Sequence, residues 1–273
     1  MAKLTDYSVI TRLGASDIFI TDGANGTKKI TAKNAAIELA GLISPTNHRN
    51  IYGGRNLGTS VTAAQKAAIQ NGSFDNIYVG DYWTIGGVNW VVADMDYFYN
   101  TGDTAFARHH LVIVPQSSLY SAAMNPTNTT DGGYVGSQMY TTNLEQAKEK
   151  VRSAFGDMVL THRDILINAV TSGYPSGYIW TDSTVELMTE VMVYSTYHYA
   201  VMNPSTFLPT KYTTARQQFA LFALNPYDAF RREWYWLRDV VSSADFASVN
   251  YYGIANYNSA SASGGVRPYF CIG

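Results

Sequence analysis

One cysteine, Cys271, is all that 273 residues carry. A lone thiol excludes an intramolecular disulfide and a cysteine-based metal cluster, and its apolar neighbours mark it as a small buried hydrophobe on the last strand. Charge is also sparse: charged residues make up 15% of the chain and the formal net charge is -2, against about 25% charged in ordinary globular domains. Without a basic run there is no electrostatic footprint for nucleic acid or an anionic membrane surface. No apolar run approaches the roughly 20 residues of a membrane span, and the opening "MAKLTDYSVITRLGASD" lacks the apolar centre of a secretory signal. The expectation is a chain made and folded in a cytoplasm, with neither nucleic acid nor membrane as partner.

Motifs of catalysis are missing too. Neither a zinc-binding helix pattern, a phosphate-cradling glycine loop, a dinucleotide turn nor a nucleophile elbow occurs. Five histidines are present: His48, His109, His110, His162 and His198. Adjacent strand residues face opposite ways, so His109 and His110 cannot share an ion, and His162, beside Arg163 and Asp164, is expected in a structural role in the first turn of a helix. Asp94 and Asp96, two apart, are expected on one face of a strand end, where they could bind Ca²⁺ or form a glycosidase pair. Such pairs are common in loops, so this remains the second reading. Arg238 and Asp239 could serve a ligand but fit better as a structural ion pair or as partners of loop carbonyls. No metal or cofactor follows from these residues.

What the chain does have is tyrosine: 21 Tyr outnumber 11 Phe and 5 Trp together. An apolar ring with a polar tip tolerates half-exposure, so the excess points to contact surfaces as well as core. Residues 1–43 predict a strand over 17–21, a Gly/Asn turn at 23–26, a second strand over 29–31 and a helix over 33–42. A piece this short needs a partner or copies of itself, because units below ~40 residues rarely fold alone. Residues 44–60, aperiodic and set with Pro, Gly and Asn, read as a linker. Residues 61–273 read as the main domain.

Thr62 and Gln65 form a capping box before a short helix closed by Gly72. Alternation broken at Gly86-Gly87 predicts a hairpin, and "HHLVIVP" a buried strand. Thr142 with Glu145, Thr161 with Asp164 and Ser183 with Glu186 predict three helices, opening "NLEQAKEKVRSAF", "HRDILINAVTSG" and "TVELMTEVMVYSTY". "QQFALFALNP" reads as a buried strand or short helix ended by Pro226. Strands "WYWLRDVV" and "GVRPYFCIG" close the chain, with Trp234 and Trp236 on one face and Tyr235 on the other. The fold class is α+β, with helices in the middle and a mostly antiparallel sheet joining the ends.

Between those last strands lie residues 242–263, "SSADFASVNYYGIANYNSASAS", written in nine residue types. Tyr gives large contact area at the loss of two torsions, while Ser, Asn and Gly give adaptable hydrogen bonding, the recipe of antibody paratopes. Solvated linkers do not need three tyrosines, a Phe and an Ile. The expected ligand-binding residues are Tyr235, Phe246, Ser248, Asn250, Tyr251, Tyr252, Ile254, Asn256, Tyr257, Asn258, Ser259, Ser261 and Ser263. Trp236, Leu237, Arg238, Val266, Arg267 and Pro268 are their expected scaffold.

"WLRDV", the Asn/Tyr/Ser/Ala stretch and the terminal "GVRPYFCIG" together resemble the variable proteins of diversity-generating retroelements. The resemblance implies a C-type-lectin-like fold with a diversified ligand-binding face. In that family template adenines are randomised, so Asn codons turn into codons for Ser, Tyr, Ile, Asp, Ala, Gly, Val or Phe among others. All nine types present are reachable in this way, and Lys, Glu, Gln, Met and Trp, which are not, are absent from the stretch. The pattern is also similar to domains related to formylglycine-generating enzymes, but these use cysteines for their chemistry and this chain has only Cys271. "SDIFITDGANGTKKIT" is similar to virion-anchoring N-termini of phage fibre proteins, and the middle loosely resembles prophage-encoded structural proteins of gut bacteria.

The resemblances imply a phage adhesin, made in a bacterial cytoplasm and carried on the virion. It would be held to virion proteins by residues 1–43, homo-oligomeric with a trimer favoured, and would bind a host cell-surface protein or glycan without enzymatic activity. The alternatives are a virion-associated glycan hydrolase using Asp94 or Asp96, or a capsid or tail decoration protein that binds nothing.

Overall fold

The computed structural model of the chain describes residues 18–23, 26–32, 34–35, 45–201 and 217–273. Near the N-terminus, β1 (Ile18–Gly23) pairs antiparallel with β2 (Gly26–Thr31), Ile18 opposite Thr31, the hairpin that the Gly/Asn turn predicts. The helix expected over 33–42 lies largely outside the described residues.

Residues 48–60, within the stretch read as a linker, pack against the main body. A 3₁₀ turn, Pro45–Asn50, carries His48, which is buried with its ring stacked on Tyr78, centroids 4.6 Å apart. Next to it Arg49 pairs with Asp94, and Arg55 meets Asp81 at 3.0 Å. Tyr52 and Asn56 bridge the main chain of Val79 and Tyr82. Lack of periodicity hid this packing, because the anchors are single polar residues reaching buried aspartates rather than a repeating apolar face.

Helix α1 (Ala63–Gln70) starts at the predicted capping box: Gln65 N donates to Thr62 Oγ1 and Thr62 N to Gln65 Oε1. The hairpin of β3 (Tyr82–Ile85) and β4 (Val88–Met95) turns at Gly86 and Gly87, both with positive φ, the two-residue geometry that glycine adopts without strain. β5 (Leu111–Pro115) is buried along its length, and β6 is the short pair Ser121–Ala122.

Helix α2 (Glu145–Phe155) forms where expected, but Thr142 does not cap it. The chain enters through a π-helical turn, Met139–Asn143, so Leu144 holds the cap position without a side-chain bond.

After β7 (Val159–Leu160) the expected helix "HRDILINAVTSG" is a strand instead. β8 (His162–Thr171) pairs with β9 (Tyr174–Ser183) around Ser172-Gly173, both at positive φ. The Ser-Gly turn and the β-branched Ile165, Ile167, Val170 and Thr171 outweigh the Thr161/Asp164 pattern. The third expected helix is split into β10 (Val185–Leu187) and α3 (Glu190–Tyr194), the latter capped by Thr189 rather than Ser183. The short-helix alternative holds for "QQFALFALNP", where α4 (Ala220–Leu224) stops before Pro226.

The C-terminal strands are β11 (Tyr235–Val240), β12 (Asp245–Val249), β13 (Ala255–Ser259), β14 (Gly264–Gly265) and β15 (Pro268–Ile272). One sheet runs β10-β15-β5-β4-β3, with β7 also on β15; a second runs β13-β12-β11-β14-β6. The pairing is antiparallel except at β11–β14, a mixed helix-and-sheet body as the α+β plan requires.

Two large apolar clusters fill most of it. Trp83, Trp90, Phe155, Trp236, Phe246 and Phe270 belong to one, and Val112, Phe219, Phe222, Tyr235, Leu237 and Tyr269 to the other. β11 contributes to both, so each of its faces is covered. Cys271 is a buried member of β15. Among the described residues no helix is long and apolar enough to cross a membrane.

Candidate ligand-binding face

The residues expected to bind separate into buried and displayed sets. Tyr235, Phe246 and Ser248 are fully buried, which corrects their assignment to the contact surface. Tyr235 lies on a strand sealed on both sides; its hydroxyl donates to Ala229 O at 3.3 Å and accepts from Arg267 Nη1 at 3.1 Å. Phe246 packs in the cluster of Trp236 and Val240. Ser248 sits opposite Trp236 and Asn256, its hydroxyl accepting from Asn258 Nδ2 at 2.9 Å. An alternating pattern predicts one wet face, but here helices and the first sheet cover what alternation would leave exposed.

The expected scaffold is in place: Trp236, Leu237, Arg238, Val266, Arg267 and Pro268 are all buried. Arg267 donates to the carbonyls of Pro115 and Asp228 as well as to Tyr235. One guanidinium thereby ties β5, β11 and the 228 turn together.

The displayed set lies at the edge of the second sheet. Tyr252 is 76% exposed, Ile254 60%, Tyr251 55% and Tyr257 45%. Apolar side chains of this size, adjacent in sequence and out in water, lose hydrophobic free energy unless something covers them. They are held rigidly. Asn250 Oδ1 accepts from the N–H of Tyr252 and of Ile254, the Asn250 N–H donates to Ile254 O, and that of Gly253 to Asn250 O. Gly253 has φ +76, and a Cβ there would meet the Phe230 backbone at 3.0 Å.

Several polar residues of the stretch are committed to this frame. Ser259 Oγ donates to Asp245 Oδ1, and Ser242 Oγ lies 2.7 Å from Asp245 Oδ2. Ser261 binds Asn128 Oδ1 through both its N–H and hydroxyl. Asn250, Asn256, Asn258 and Ser259 are half-buried, whereas Ser261 and Ser263 are exposed. Sequence reasoning missed Tyr199, whose ring centroid lies 5.1 Å from that of Tyr257. Fifty-eight positions separate the two, and no local pattern links them.

Asp94 and Asp96 do not form an open pair. Asp94 is buried and accepts from Arg49 Nε and Nη2 and from the N–H groups of Met95 and Ala220. Asp96 lies past the end of β4 with φ +53, and it meets the His109 ring at 2.7 Å and the His110 N–H at 2.9 Å. His162, expected on a helix, is instead buried on β8 against Phe98 at 4.0 Å. Burial holds its imidazole down to about 4. Among the described residues no group of three or more His, Cys, Asp and Glu is arranged to hold a metal ion.

Arg238 and Asp239 are not an ion pair with each other. Arg238 Nη1 meets Asp164 Oδ2 at 2.7 Å, while Asp239 Oδ2 accepts from the Glu190 N–H at 2.6 Å. Successive strand residues point to opposite faces, which divides them. Beneath the sheet Asp164, Glu186, Glu190 and Asp239 are all buried. Desolvation pushes Glu186 and Asp239 up to about 7, whereas the guanidinium and hydrogen bonds around Asp164 outweigh its burial and hold it below the usual carboxylate range.

Residues 188–273, from just before α3 to the last residue of the chain, match a family model described as "Domain of unknown function (DUF6273)". No curated protein and no solved structure matches the chain.

Proposed function

We propose that this chain is a phage or prophage adhesin: a C-type-lectin-like domain that binds a host cell-surface ligand through the turn and edge strand of residues 250–257. Residues 1–43 dock it on virion proteins as a homo-oligomer, a trimer being favoured, and no bond is made or broken. The observation that carries the reading is the exposure of Tyr251, Tyr252, Ile254 and Tyr257 on a turn closed by its own hydrogen bonds, above strands buried on both faces. Rigid aromatic anchors bind at low entropic cost, since immobilising a floppy side chain takes ~0.5 to 1.5 kcal/mol.

The resemblance to retroelement variable proteins fits the same stretch: buried Trp236 and Arg267 frame it, and the nine reachable residue types lie inside it. The glycan-hydrolase alternative has less support, because Asp94 is committed to Arg49 and two backbone N–H groups. Avidity can raise weak single-site binding by ~10² to 10⁴. Full-length oligomer should therefore bind host cells where the isolated monomeric domain binds poorly; equal per-site binding by both removes the avidity argument. Genomic sequence supplies a second test: a near-copy of the coding region for 236–273, differing only at adenines, beside a reverse-transcriptase gene.

A further inference from the structure

A groove bounded by α3, α4 and the 250–254 turn encloses about 560 Å³, within the ~300 to 1,000 Å³ of small-molecule sites. Phe222 and other apolar side chains line its floor, while Tyr194, His198, Tyr199 and Gln218 bring polar atoms and ring faces to it, and Ile254 stands at its mouth. Among the described residues, no Asp, Glu, Lys or Arg lines it. The walls are fixed before any ligand arrives. Tyr194 Oη donates to Gly253 O at 3.0 Å, Gln218 Nε2 to Val193 O at 2.6 Å, and the buried Glu190 carboxylate accepts the backbone N–H groups of His198, Tyr199 and Ala200.

We propose that this groove binds a mono- or disaccharide unit of a neutral glycan, so that the host ligand of the display face is a carbohydrate. The inference rests on the adhesin reading and names the ligand class for the same face, since Gly253, Ile254 and Ala255 belong to both.

Three features select a neutral sugar. With no ionic side chain among the described lining residues, a charged ligand would lose its hydration there without gaining a counter-charge from them. Several of the turn's backbone groups are taken internally: Asn250 N–H with Ile254 O, Ile254 N–H with Asn250 Oδ1, Gly253 O with Tyr194. An extended peptide adding main-chain hydrogen bonds finds these groups of the turn already taken. What remains is side-chain chemistry. Among the described residues no hydrogen-bond partner takes the His198 ring, which only meets Tyr194 edge-on at 5.3 Å, and Tyr199 is 41% exposed. An aromatic face for the C–H side of a pyranose, with imidazole and amide for its hydroxyls, is the equipment an uncharged sugar needs.

The test is saturation-transfer NMR and calorimetry on the full-length protein with a panel of neutral mono- and disaccharides. Sialic acid and an uncharged Leu/Tyr-rich peptide serve as comparison ligands. The expected result is binding of at least one neutral sugar, with sialic acid and peptide at least tenfold weaker. His198→Ala and Tyr199→Ala should each weaken sugar binding tenfold or more, while Ile179→Ala, outside the groove, leaves it unchanged and all three melt like the parent. Sugar binding indifferent to His198 and Tyr199, or preference for the peptide, overturns the proposal. No sugar binding, together with host-cell binding that still depends on Tyr251 and Tyr252, also overturns it while leaving the adhesin reading intact. Loss of both removes both.

Discussion

Asn250 and Ile254 close the displayed turn on each other: the Asn250 N–H donates to Ile254 O at 2.9 Å, and the Ile254 N–H donates to Asn250 Oδ1 at 3.1 Å. The same Oδ1 takes the Tyr252 N–H. Asn250 therefore shapes the turn that carries the displayed side chains. Asn250→Ala should cost about 1 to 2 kcal/mol of local stability, the loss of two side-chain-to-backbone bonds. Hydrogen exchange of the 251–254 amides measures it, and faster exchange confined to those amides is the expected result.

Surface and frame can be told apart by their separate effects on binding and melting. Tyr252→Ala and Ile254→Ala remove exposed groups and should change folding stability by less than about 0.5 kcal/mol. If they are anchors of the interface, each should weaken cell binding by about 1 to 2 kcal/mol. Calorimetric melting beside binding isotherms gives both numbers.

Arg238 is the cation beside buried Asp164. Arg238→Met should destabilise the domain by about 3 to 5 kcal/mol, because it leaves a desolvated carboxylate without its counter-charge. Adding Asp164→Asn should recover part of that loss, a coupling that urea titration of the four-member cycle reads directly.

Glu186 and His162 give opposite pH slopes. Burial raises the folded Glu186 carboxyl from 4.5 to about 7, so its contribution is full below the unfolded value and lost as pH rises through the folded one. Burial lowers the His162 imidazole from 6.5 to about 4, so its contribution is full above the unfolded value and lost as pH falls. Glu186→Gln should therefore gain stability over the parent as pH rises from 4.5 to 7, by about 1 to 3 kcal/mol at the alkaline end. Denaturant midpoints across that range check the sign.

Local signals in the sequence carried where the chemistry was complete within a few residues. Thr62 and Gln65 satisfy each other, and Gly86-Gly87 turn because glycine accepts positive φ, so those elements were legible. Thr161 and Asp164 show the limit of the same reasoning. They mimic a helix cap, yet Asp164 is buried against Arg238 and Tyr269 from other strands, and long-range pairing decided the element. The display of Tyr251, Tyr252, Ile254 and Tyr257 was legible through composition. The burial of Tyr235 was not, since α3, α4 and β5 pack over its face of the sheet, nor was that of Phe246 and Ser248, which lie on the other face with Trp236.

The most direct measurement is binding of the full-length protein to receptive bacterial cells, compared with a variant carrying alanine at Tyr251, Tyr252, Ile254 and Tyr257. Saturable binding by the parent, lost in a variant that melts at the same temperature, is the predicted result. Equal binding by both, or none by either, contradicts it.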